Sequence, residues 1–132
     1  MSSATWIFEY LYRDAANFKS WGSVQLSACT GEIASAISVL FTSGDNIFVA
    51  EQLGLPLLYD GVREHGDGSS IHDHAFHEFS EIRPLDRHID VVEKPWGEAS
   101  RLRSLIEGLH GQWDVRLSSY CAPLREYEAV VD

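Results

Sequence analysis

Residues Thr5–Asp14 read TWIFEYLYRD, and the fold follows from how this stretch is divided. Taken in steps of two, Trp6, Phe8, Tyr10 and Tyr12 form one face, and Ile7, Glu9, Leu11 and Arg13 form the other. In a β-strand successive side chains point to opposite sides, so the stretch predicts a strand with one wholly aromatic face. The link AANFKSWG follows, with Asn, Ser and Gly, and then Val24, Leu26 and Ala28 alternate with Ser23, Gln25 and Ser27. That period predicts a second, half-buried strand, paired with the first in a hairpin with a longish loop.

Next, TGEIASAISVLFTSG offers Thr30 as an N-cap, Glu32 at the positive end of a helix, and Ile33, Ile37, Leu40 and Phe41 at helical spacing. Gly44 is the expected stop. Asp45–Leu58, DNIFVAEQLGLPLL, is expected to start as a short apolar strand, punctuated by Gly54 and Pro56. Tyr59–Ser70 has three glycines among polar residues and predicts an exposed loop. A strand is expected over Phe76–Leu85. After Pro95, Leu102, Leu105, Ile106 and Leu109 fall at i, i+3, i+4, i+7 and predict a second amphipathic helix ending near Gly111. Trp113–Tyr120 alternates again and predicts a last strand. The expected order β-β-α-β-β-α-β predicts an α+β fold: a mostly antiparallel sheet with two amphipathic helices packed on one face, in a single domain over 1–132.

The charge pattern limits the function. The net charge is −10, and residues 41–93 hold eleven acids against three bases. Such a field repels nucleic acid and anionic membrane, because phosphate binding needs a basic surface. No secretion signal and no stretch of membrane-spanning length is evident, so a cytoplasmic location is expected. The two cysteines, Cys29 and Cys121, are read as reduced thiols.

Ser70–Glu78, SIHDHAFHE, collects His72, His74 and His77 with Asp73 and Glu78. Imidazole and carboxylate are the donors zinc prefers, so a zinc-binding module or metal-dependent hydrolase is one reading. Spacing works against it. On a strand His77 points away from His72 and His74, and on a helix His72 lies nearly opposite the others, so only a turn near Ala75 would gather all three. No G-x-S-x-G elbow, dinucleotide fingerprint or Walker pattern occurs, and no catalytic residue is assigned.

The segments YLYRDAANFKSWG, FVAEQLGLP and DHAFHE, in this order, resemble those of a group of short uncharacterised bacterial and phage proteins. The resemblance implies a compact α+β domain in which these segments matter. It carries no activity.

The leading expectation is a small acidic interaction protein of the anti-defence (anti-CRISPR), immunity or antitoxin kind, without a cofactor. It would occupy the basic surface of a nuclease or other nucleic-acid-binding effector, with carboxylates standing in for phosphates. The partner-binding candidates are Asp60, Glu64, Asp67, Asp73, Glu78 and Glu81, with Tyr10 and Tyr12 as aromatic anchors. A homodimer through the aromatic sheet face is a third expectation.

Overall fold

A computed structural model describes residues 4–13, 19–43, 46–58, 76–110 and 112–113. Strand β1 (Ala4–Arg13) pairs antiparallel with β2 (Lys19–Cys29) on one side and with β4 (His77–Pro84) on the other. A two-residue β3 (Ile47–Phe48) flanks β4, and a two-residue β5 (Gly97–Glu98) lies parallel to β2, giving the order β3-β4-β1-β2-β5. Helices α1 (Gly31–Thr42), α2 (Ala50–Leu53) and α3 (Ala99–Leu109) complete the described elements. The fold is α+β, with one parallel pair in an otherwise antiparallel sheet.

The division of TWIFEYLYRD explains the layering. Phe8, Tyr10 and Tyr12 have no exposed surface, and Phe8 and Tyr10 join the core beneath the helices. Phe8 lies within ring contact of Tyr10, Phe41, Phe48 and Phe79, and Phe41 stacks on Phe79 with centroids 4.8 Å apart. Such a ring cluster carries a large share of the burial energy, so truncating Phe8 to Ala costs about 3–5 kcal/mol.

Helix α1 starts where expected. The Thr30 hydroxyl accepts the backbone N–H of Ile33 at 3.2 Å, and Ala34, Ile37 and Phe41 turn inward. Helix α3 buries Ala99, Leu102 and Ile106, with Leu105 and Leu109 at the margin of the core.

Three expectations change. Strand β2 begins at Lys19, because KSWG continues the hairpin ladder instead of turning, and Arg13 pairs with Lys19. Of Asp45–Leu58 only Ile47–Phe48 is strand. Ala50 and Leu53, one helical turn apart, bury their side chains in the short α2, which ends at Gly54 with φ +72°. That left-handed conformation favours glycine. Finally, β5 stands where only the approach to a helix was expected. The proposed last strand lies outside the described residues beyond Trp113, as do the expected stops Gly44 and Gly111.

Candidate functional site

The second face of TWIFEYLYRD points away from the helices, and the cross-strand register orders it into rows. Leu11 lies between Trp21 and Glu78, Glu9 between Ser23 and Glu81, and Ile7 between Gln25 and Arg83. A register shift between Glu9 and Tyr10 lets Ser80 bulge out of β4. The bulge keeps Glu81 on the outer face and Phe79 on the inner one.

Two cations tie this face together. Arg83 grips Asp90 with both terminal nitrogens, at 2.8 and 2.9 Å, and reaches Glu9 at 3.4 Å. The paired guanidinium, with the Asp86 backbone N–H also donating, holds the Asp90 carboxyl down at about 2. The same pairing raises the affinity of Arg83 for its proton, already very high. Arg13 Nε donates to Glu78 Oε2 at 3.0 Å.

The Arg83–Asp90 pair also fixes the chain between β4 and β5 against the sheet. Asp86 opens a turn in which its carboxylate accepts the His88 N–H at 2.9 Å and the Asp90 carboxylate accepts the Asp86 N–H at 2.8 Å. Further along, the Gln25 side chain donates to Val91 O at 2.7 Å and accepts the Glu93 N–H at 3.0 Å. Gln25 is thereby buried although polar, as a satisfied amide can be. The anchored connection leaves Ile89, Val91 and Val92 exposed as an apolar ridge.

Glu9 and Glu81 therefore face each other across two strands. Like charges in that position are destabilising. Arg83 offsets the cost at Glu9, but it is shared with Asp90, and the exposed Glu81 makes no ion pair among the described residues.

The candidates from sequence separate onto two faces. Glu78 and Glu81 lie on the outer face. Tyr10 and Tyr12 do not: both rings are fully buried, and the Tyr10 hydroxyl donates to Pro56 O at 2.6 Å, so neither anchors a partner at the surface. Burial pushes the Tyr10 hydroxyl well above the usual phenol range. The aromatic face expected to form a dimer has its rings Phe8, Tyr10 and Tyr12 buried within the chain.

His77 is also interior. It packs among Tyr10, Tyr12 and Phe48, and its Nε2 accepts the Leu58 backbone N–H at 3.1 Å. Desolvation lowers its pKa to about 4, so the imidazole is neutral at pH 7. The lone pair that would bind zinc is committed to Leu58, and strand alternation puts the neighbouring Glu78 on the opposite face. Among the described residues no group of three or more His, Cys, Asp or Glu side chains is placed to hold a metal ion. His72, His74, Asp60, Glu64, Asp67 and Asp73 lie outside the described residues.

Gln25, Arg83 and Asp90 carry no motif that marks them in the sequence. The one available signal was Pro84-Leu85-Asp86, since Asp opens turns by accepting nearby N–H groups. No helix among the described residues is long and apolar enough to cross a membrane. No family model, curated protein or solved structure matches the chain.

Proposed function

We propose that this chain is a cytoplasmic acidic interaction protein that occupies the basic surface of a nucleic-acid-binding partner, in the manner of anti-defence, immunity or antitoxin proteins. The supporting observation is the Glu9–Glu81 juxtaposition on the outer sheet face, where one shared arginine serves two carboxylates and Glu81 is left exposed. A lysine or arginine from a partner relieves that repulsion on docking. Such a contact favours a cationic partner and its docking register over other surfaces.

The net charge of −10 adds long-range steering toward cationic surfaces, and Asp60, Glu64, Asp67 and Asp73 contribute to it by sequence. Association driven this way is fast and weakens with salt, because exposed charges are screened beyond about 10 Å at 0.1 M ionic strength. In this reading the carboxylates of the outer sheet face stand in for phosphates, so binding competes with nucleic acid.

The test is capture from host lysate at low salt on immobilised protein, with the captured species identified and its binding to a labelled DNA or RNA probe measured. The expected result is a basic protein whose probe is displaced by this chain, with capture weakened in Glu81→Lys and at high salt. Capture of nothing at low salt, or equal capture by Glu81→Lys and by a triple charge reversal at Asp60, Glu64 and Asp67, rejects the proposal.

A further inference from the structure

Among the described residues the outer edge of β2 is paired only at one end. Strand β5 meets it at Leu26 and Ser27, and the Trp96 N–H donates to Gln25 O at 2.8 Å. Between Lys19 and Val24 no strand among the described residues lies against that edge. In an antiparallel strand the N–H and C=O of one residue point to the same side, and alternate residues point the same way. Because the Gln25 carbonyl points outward, so do the backbone groups of Ser23, Trp21 and Lys19. The same three side chains stand on the outer sheet face, where Trp21 is 62% exposed.

An open edge beside a bare tryptophan invites strand addition. We propose that the occupant is a second copy of this chain, joined β2 to β2 in antiparallel register about a two-fold axis at Trp21. This inference does not depend on the partner proposed above.

Hydrogen-bonding capacity and charge favour this occupant and register. Centred on Trp21, the pairing sets Trp21 opposite Trp21 and Lys19 opposite Ser23 of the second copy, so each outward residue meets another outward residue. Hydrogen-bonded pairs exchange both backbone bonds, which gives about six across the axis. Centring on Ser23 would instead demand Gln25, whose carbonyl is already taken by Trp96.

The charges fit the same register. Ser23 is small and exposed, and Glu9 lies directly behind it. A lysine opposite Ser23 is two strand spacings from Glu9, roughly 10 Å between Cα atoms, which the two side chains together can span. The second copy's Lys19 thus reaches over Ser23 to Glu9 in the row that ends at Glu81. The two indoles meet at the axis and bury each other. Opposing this, two chains of net charge −10 repel at long range, so association strengthens when moderate salt screens that field.

Register-specific crosslinking and sedimentation test the interface in the full chain carrying Cys121→Ser. Trp21→Cys places two thiols at the axis with Cα atoms about 5.5 Å apart, within disulfide range. Ser23→Cys places them roughly 14 Å apart. Under mild oxidation Trp21→Cys is expected to give a covalent dimer and Ser23→Cys a monomer. In sedimentation the Cys121→Ser chain is expected to dimerise at micromolar concentration, Trp21→Ala to weaken association roughly tenfold or more, Lys19→Glu to weaken it, and Lys19→Arg to retain it. Circular dichroism checks that each variant is folded. A monomer throughout, equal crosslinking at both positions, or a dimer indifferent to Lys19→Glu overturns the proposal. Pairing of the edge with an extended segment of another protein, and no self-association, overturns it as well.

Discussion

His77 makes the stability of this protein depend on pH in a direction opposite to that of a surface histidine in an ion pair. Its pKa falls from 6.5 to about 4 on folding, because the buried site admits only the neutral ring. Between those values the unfolded chain holds a proton that the native chain lacks. Stability is therefore constant from this source above pH 6.5, falls as the pH drops through the window, and levels off below about 4. The slope is about 1.4 kcal/mol per pH unit and the whole loss about 3 kcal/mol. Against a typical domain stability of about 5–15 kcal/mol this is a substantial fraction. Urea titrations at several pH values between 7 and 4, on the native sequence and on His77→Gln, measure it. The glutamine amide oxygen can still accept the Leu58 N–H but does not titrate. All other groups are common to the two proteins, so the difference between their stabilities should shrink by about 3 kcal/mol on acidification. Parallel pH profiles would refute the reasoning.

Three further outcomes are expected. Tyr10→Phe removes the hydrogen bond to Pro56 O and should cost about 1 kcal/mol in a denaturant titration, with the core otherwise intact. Gly22→Ala drives a methyl group to 2.6 Å from Leu58 Cδ2, the end of a half-buried side chain that can turn aside, so it should destabilise by about 1 kcal/mol or less, and Leu58→Ala should make the same glycine substitution nearly harmless. Asp90→Asn weakens the grip of Arg83 on the β4–β5 connection, and hydrogen exchange at Asp86, Ile89 and Glu93 should accelerate while exchange in β1 does not change.

The parts of the fold visible in the sequence are those whose pattern is complete within one short segment, although β1 is buried on its other face as well, at Ile7 and Leu11. The aromatic face of β1, the Thr30 cap and the Leu102–Ile106 stripe each declare themselves within a few residues. The first residues of β2, Lys19, Ser20 and Gly22, look like a turn in sequence; their strand state comes from pairing with Arg13, Tyr12 and Tyr10, and the glycine leaves room for Leu58. Helix α2 and strand β5 are set by tertiary contacts, the former by buried Ala50 and Leu53 and the latter by the edge of Leu26–Ser27.

For the candidate site, charge was legible and direction was not. Glu78 and Glu81 could be picked out as acids, but their common face depends on the Ser80 bulge. His77 drew attention through its neighbours in sequence, although Phe79 two positions on already marked its side of the strand as the inner one. The tyrosines were legible as a packed row and less so as buried, since a ring suited to a hot spot is equally suited to a core.

The order of strands across the sheet also sets the order of events in folding. Strands β1 and β2 are separated by only five residues of sequence, so their pairing closes a small loop and forms early. Strand β4 meets the other side of β1 only after the chain has looped back, with Arg13 and Glu78 separated by 65 positions. Closing that loop is entropically slow and is rewarded only when Phe79 and His77 arrive against Phe8, Tyr10 and Tyr12. Until then the hairpin carries its aromatic row bare to water. The interval between hairpin and sheet is thus the period when this chain is most exposed to aggregation, and substitutions in β4 should slow folding more than those at the outer edge of β2.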